Sequence, residues 1–254
     1  MTASPNDQPE VPPLPRYLQL LWGLDDVRRG PKPAFTIRDI GRAAVSVADA
    51  QGWEAASMKA IATELGVTTM SLYRYVDSKD DLLAVMLDEA FGRPSPDLTG
   101  SGDWRERLTS WSQAIAAVLV SRPWVVSMPM HRPPVTPNVL AWTDAGIRCF
   151  ADTALSTQER FSSLLLVDGF IRNHVRQSDQ LGALGAGKAE ASGEPYEESL
   201  ARLVRPETYP ALWSALQGGM DSNDDDFFAE ELTYGLEVLL DGLAQRIEGT
   251  RGRG

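Results

Sequence analysis

Four helix-opening signals fall between Thr36 and Ser78, and they leave this stretch little choice but a cluster of short helices. Thr36 has Asp39 three residues on, the spacing of a capping box, in which a hydroxyl and a carboxylate satisfy each other's backbone N–H groups. The helix it opens carries Ile37, Ile40, Ala44, Val47 and Ala48 on one stripe and ends by Gly52. Ser57 is placed to cap a shorter helix, MKAIATEL, stopped at Gly66. Thr68 or Thr69 caps a third, MSLYRYV, and Ser78 a fourth, KDDLLAVMLDEAF, whose early Asp80 and Asp81 suit the positive end of a helix dipole.

The same periodicity continues down the chain. After the Gly/Pro/Ser stretch at 92–103, a long helix is predicted from Trp104 to about Ser121. Five prolines interrupt residues 122–137, which should be irregular or only briefly helical. Helices follow from Asn138 to about Thr153 and from Ser156 toward Leu181. Shorter ones, broken at Pro206 and Pro210, fill 197–217, and a last one runs from about Asp224 to Ile247. No segment alternates with the period of a strand, so the fold class is all-α. The expected organisation is an extension at 1–35 with a Pro-rich tail and a basic arm, a helical head at 36–91, and a larger helical body at 92–254. The extension either docks through Trp22 or forms one loosely packed helix behind a tail.

Charge is what a first inspection would hold against nucleic acid. The 254 residues carry 24 Lys and Arg against 35 Asp and Glu, a net charge of -11, whereas phosphate binding wants a basic field. The imbalance is uneven, however. From Arg28 to Asp80 there are eight basic and six acidic residues, a balance of +2 that leaves -13 for the rest. A single cysteine, Cys149, excludes an intramolecular disulfide, and with only His131 and His174 beside it a Cys/His zinc cluster is out of reach. The start of the chain lacks the basic and apolar regions of a secretory signal and no stretch has the length of a membrane span, so a cytoplasmic protein without membrane partners is expected.

Within the head, Ala62, Leu65, Val67 and Leu72 occupy the inward positions of a helix-turn-helix, with Gly66 in the turn. If Thr69 to Tyr75 is the recognition helix, Thr69, Met70, Ser71, Tyr73 and Arg74 lie toward its exposed N-terminal side. Met70 could pack on a thymine methyl, and Thr69 or Ser71 could donate to a base or a phosphate. Tyr73, Tyr75 and Lys79 read as clamps on the DNA backbone, and Arg28 and Arg29 of the arm as phosphate or minor-groove contacts.

The run LGVTTMSLYRYVDSKDDLL, within Thr36 to Phe91, resembles the N-terminal DNA-binding domain of the tetracycline-repressor-like (TetR) family of transcriptional regulators. Leu65-Gly66-Val67, Leu72-Tyr73, Tyr75-Val76 and Lys79 to Leu83 fall in that family's register. The body resembles the tetracycline-repressor subclass through its length and the closing FAEELTYGLEVLLDGLAQRI. The resemblance implies a homodimer whose helical C-terminal domain binds a small molecule and then releases operator DNA. It carries Thr69, Met70, Ser71, Tyr73, Tyr75 and Lys79 over as DNA-facing, with Thr36, Arg38 and Arg74 beside them. The extension at 1–35 is longer than the family usually needs.

Two predicted helices in the body are apolar over more than one face. One carries Phe161, Leu164 and Leu165, the other Phe228, Leu232, Leu236, Leu239 and Leu243. Such helices fit an interface of four helices, two from each copy of the chain. An effector cavity should be apolar with few polar groups. The candidates are Trp111, Trp124, Met128, His131, Trp142 and Phe150, with Arg172 and His174 able to reach either the cavity or the interface. No cofactor and no protein-held metal are expected. An enzyme has little to work with: Cys149 sits in an apolar helical setting, Ser127, Asp144 and Asp168 have no motif around them, and Asp224 to Asp226 read as a solvated helix start. A regulator of the same fold without a small-molecule effector is the other alternative.

Overall fold

The computed structural model describes residues 13–24, 34–131, 133–182, 184, 196–217 and 227–251. Every regular element among them is helical: α1 (Arg16–Leu21), α2 (Ile37–Gln51), α3 (Met58–Glu64), α4 (Thr69–Leu72), α5 (Lys79–Phe91), α6 (Trp104–Ser121), α7 (Trp124–Ser127), α8 (Pro137–Arg148), α9 (Thr157–Gln180), α10 (Tyr196–Leu203), α11 (Pro210–Gln217) and α12 (Phe227–Arg251), with a 3-10 turn at Trp53–Ala55. The capping boxes of α2 and α9, at Thr36/Asp39 and Ser156/Glu159, are both formed. Ser57 and Ser78 accept the N–H groups of Ala60 and Asp81. Two helices are shorter than the pattern predicts: α4 stops at Leu72, with residues 73–75 in turns, and α8 stops at Arg148, with residues 149–152 in turns, short of Thr153.

The helices divide into two compact units, residues 1–102 with 127–149, and residues 103–126 with 150–254. In the first, α2 lies against α5, and its buried Ile40, Ala44 and Val47 share a core with Leu82, Val85 and Met86. The approach is close because of Gly41, where an added Cβ would stand 3.0 Å from the Cβ of Glu89 and 3.4 Å from the Val85 carbonyl. Helix α1 joins this core through Tyr17, Leu18 and Leu21, so that part of the extension is a built element. Trp22 Nε1 donates to the Val135 carbonyl over 2.9 Å.

Helix α8 lies beyond the expected head boundary at residue 92, yet it packs on α5. Thr136 offers α8 no side-chain cap. The buried Asp88 of α5 does so from across the unit, its Oδ1 accepting the Asn138 N–H over 2.7 Å while its carbonyl accepts Asn138 Nδ2 at 2.9 Å. A carboxylate at the positive end of a helix is a favourable partner. One turn on, Trp142 Nε1 donates to the Gly92 carbonyl over 3.1 Å, and the ring meets Phe91 edge-on at 6.5 Å.

The second unit packs α9 against both α6 and α12. Leu108, Ile115 and Leu119 of α6, Val167, Ile171 and Val175 of α9, and Leu240 and Ile247 of α12 are buried. Ion pairs tie the edges, Arg105 to Asp241 at 2.7 Å and Arg246 to Glu159 at 3.2 Å. The residues expected at an interface separate here. Phe161 and Leu165 point out, Phe228, Leu232 and Leu239 are half-buried, and Leu164, Leu236 and Leu243 are buried within the chain itself. The last three help fill the unit's own core, so the exposed part of the predicted set is Phe161 and Leu165.

Candidate nucleic-acid interface

Helix α3 ends in a Schellman motif, and that motif sets the course of the chain into α4. The Val67 N–H reaches the Ala62 carbonyl at 2.9 Å and the Gly66 N–H the Thr63 carbonyl at 3.1 Å. Gly66 adopts φ +66°, a left-handed conformation that costs an L side chain about 1–2 kcal/mol. Ile61, Ala62, Leu72 and Val76 are buried beneath the pair of helices, and Leu65 and Val67 are half-buried. Leu72 and Val76 pin α4 and the turn after it from below, leaving Tyr73 and Arg74 exposed between them.

Met70 is 73% exposed and Tyr73 48% exposed. Arg74, Lys79 and Arg38 are also exposed, while Thr69 and Ser71 are half-buried. The Ser71 hydroxyl lies 3.0 Å from that of Thr68, so two hydroxyls meet at the N-terminus of α4. Lys79 Nζ stands 5.7 Å over the Trp53 ring, a cation–π contact that positions an exposed ammonium. Tyr75 differs from its neighbours. Its hydroxyl donates to the Phe35 carbonyl at 2.9 Å and its ring meets Phe35 at 4.9 Å. A phosphate clamp was expected at Tyr75; its hydroxyl is instead engaged in joining the start of α2 to the turn after α4, which brings Thr36 and Arg38 beside that turn. The Thr36 hydroxyl is itself bonded to Asp39 at 2.7 Å. Arg28 and Arg29 lie outside the described residues.

This pair of helices, with its buried props and outward polar and sulfur-bearing face, is the architecture of a helix-turn-helix reader. Residues 40–86 match the family described as bacterial regulatory proteins, tetR family, and residues 95–247 match the tetracyclin repressor-like C-terminal domain. The chain belongs to the TetR family. A repressor of Streptomyces coeruleorubidus, the HTH-type transcriptional repressor DrrR1, is 33% identical over 246 residues, which cover 93% of this chain and 88% of that protein. The fold is shared with ActR of Streptomyces coelicolor in complex with actinorhodin, at a TM-score of 0.69 and 20% identity over 85% of this chain and 98% of that one. A TetR variant of Acinetobacter baumannii in complex with minocycline aligns at 0.56 and 15% over 82% and 96%.

As a TetR family member the chain is a DNA-binding transcriptional regulator, and its head is the unit just described. The residues predicted for an effector cavity fall in two places. Met128, His131 and Trp142 belong to the unit containing the head; Trp111, Trp124, Phe150, Arg172 and His174 belong to the other. Trp111, Trp142 and Phe150 are buried, Trp124 and Met128 half-buried, and His131 exposed. Arg172 pairs with Asp168 at 2.7 Å. His174 is stacked between Phe170 and Phe228, at 5.9 and 4.6 Å, and its Nε2 donates to the Phe228 carbonyl over 2.9 Å. Among the described residues no group of three His, Cys, Asp or Glu side chains is placed to hold a metal, and no helix is long and apolar enough to cross a membrane. Sequence reasoning missed Asp88, Asn138 and the Trp22–Val135 bond. An aspartate inside an apolar helical run was the one visible sign of the first.

Proposed function

We propose that the chain acts in the cytoplasm as a homodimeric repressor that two copies of the head hold on a two-fold operator, and that a small apolar or aromatic molecule releases it. The observation that carries the reading is the division of labour in α4 and its turn: Leu72 and Val76 are fully buried, while Met70 before Leu72 and Tyr73 after it are exposed. On a TetR family head, that leaves Met70 to meet base edges and Tyr73, Arg74 and Lys79 to meet phosphates. Two heads are needed because one with a charge near +2 has little electrostatic hold, whereas linked heads gain from effective concentration.

Dimerisation is supported by the apolar face that α9 and α12 leave open, with Phe161 and Leu165 four apart on one helix and Tyr234 and Val238 four apart on the other. Release by a small molecule is supported by the bound actinorhodin and minocycline in the two structural relatives. Trp111 and Phe150 are enclosed in the core, which leaves Trp124, His174 and the Arg172–Asp168 pair with surface to meet such a molecule. Selection of bound duplexes from random DNA tests the reading. A palindrome with half-sites about one helical turn apart is the expected product, and retention of no duplex above background would overturn it.

A further inference from the structure

Between the loop that leaves α5 and the outer face of α8 runs a groove of about 640 Å³, lined by Arg93, Pro94, Pro96, Ala141, Asp144 and Arg148 among others. All of these residues belong to the unit that contains the head. We propose that this groove is a second small-molecule site, distinct from the effector site proposed above, and that it takes an aromatic or cyclic carboxylate.

Three observations point there. The volume lies in the range of small-ligand sites, about 300–1,000 Å³. The walls are held in place: Trp142 anchors Gly92, the residue before Arg93, and Asn138 anchors Asp88, while two prolines and the turns Leu98 N–H to Ser95 carbonyl and Gly100 N–H to Asp97 carbonyl stiffen the loop. The charge is unbalanced, with two guanidinium groups and one carboxylate on the lining. Among the described residues Asp144 accepts only from Arg148 Nε, at 3.2 Å on an open surface, and Arg93 has no ion-pair partner. The Arg148 terminal nitrogens and the whole Arg93 fork are therefore available to a carboxylate, for which the planar fork is suited. Pro94, Pro96 and Ala141 give the floor an apolar character that fits a ring better than it fits a strand of DNA.

The test uses the full-length protein, with 2-naphthoate as probe and 2-naphthamide as its uncharged counterpart, read by calorimetry and by the thermal midpoint. Naphthoate should bind saturably and raise the midpoint, because a ligand of the native state alone shifts unfolding by mass action, and naphthamide should bind at least about tenfold more weakly. Arg93→Ala and Arg148→Ala should each weaken naphthoate by about tenfold, the worth of one charge-assisted hydrogen bond. Asp144→Asn should tighten it several-fold by removing the competing carboxylate. All three positions are exposed, so circular dichroism should show folded variants. The proposal is overturned if naphthoate shows no saturable binding at millimolar concentration, if naphthamide binds equally well, or if Asp144→Asn weakens binding as the arginine variants do. It is also overturned if the arginine variants lose duplex affinity while naphthoate binding is untouched, which would make the groove a DNA contact. None of the naphthoate measurements needs the protein to be a repressor.

Discussion

The hydroxyls of Tyr73 and Tyr75 are two residues apart in sequence and serve different ends. Tyr75 donates to the Phe35 carbonyl and its ring is half-buried, whereas Tyr73 faces solvent. Tyr75→Phe should therefore cost about 1 kcal/mol of stability, the net worth of one such hydrogen bond, visible as a lower thermal midpoint. Tyr73→Phe should leave the midpoint almost unchanged, within about 0.5 kcal/mol, and weaken binding to all duplexes alike, as a lost phosphate contact does. Met70→Ala should instead change which bases a selection returns. A Tyr73→Phe variant that lost stability as Tyr75→Phe does would show that the exposed and anchoring tyrosines had been misassigned. Similar reasoning separates two glycines of α12. At Gly235 an added Cβ would run into the Phe170 ring, while at Gly242 it would meet nothing within 4 Å. Alanine in a helix normally stabilises relative to glycine by about 1 kcal/mol. Gly242→Ala should follow that rule, and Gly235→Ala should reverse it, by about 1–3 kcal/mol of overpacking. Chemical denaturation of the two variants gives opposite signs, or the packing of α9 on α12 is not as described.

The start of α2 is a titratable element. Hydrogen bonds from the Thr36 hydroxyl and backbone N–H, with Arg42 beside them, hold the Asp39 carboxyl below its ordinary value of 3.8. A depressed carboxyl stabilises the fold above its unfolded pKa, and that contribution is lost as the pH falls through the lower folded value. Asp39 is solvent-accessible, so the effect is modest. Asp39→Ala should flatten the acid side of the stability profile below about pH 5, where the unfolded carboxyl begins to titrate, and Thr36→Ala should cost about 1 kcal/mol at neutral pH. Melting curves from pH 2 to 7 check both. Such caps were legible in the sequence because their partners lie three residues apart: Thr36 with Asp39, Ser156 with Glu159. So was the Gly66 turn, which local backbone geometry demands. The exposed face of the recognition segment was legible from the alternation of Leu72 and Val76 with polar neighbours. What escaped were bonds across large sequence separations. Asp88 to Asn138 spans 50 residues and Trp22 to Val135 spans 113, and neither follows from a helical period. For the same reason the sequence does not reveal that α8 lies beside α5, where Asn138 and Trp142 contact Asp88, Phe91 and Gly92. The end of α4 at Leu72 was not legible either: residues 73–75 turn, and Tyr75 there bonds to Phe35, 40 residues away in sequence.

At the scale of the whole molecule, the charge and the apolar surface make one argument. Residues 28–80 carry +2 and the remainder -13, so the acidic remainder repels DNA and discourages nonspecific adhesion. On the proposed homodimeric reading, affinity comes from two heads acting together, and the apolar surface proposed to join two copies is the face that α9 and α12 leave exposed among the described residues. Leu165 is 72% exposed there, and Phe161, Leu166, Tyr234 and Val238 are exposed with it. Phe161→Glu with Leu165→Glu places two charges on that face without touching the buried Leu164 or Val167. The double variant should remain helical, sediment as a monomer, and bind its selected palindrome at least about a hundredfold more weakly, because linked binding contributes about 10²–10⁴ in avidity. Its affinity for an isolated half-site should equal that of the unaltered protein, since the head is unchanged. That comparison decides the matter: a monomer that keeps full affinity for the palindrome would mean that one head suffices, and a variant that remains dimeric would move the interface off this face of α9.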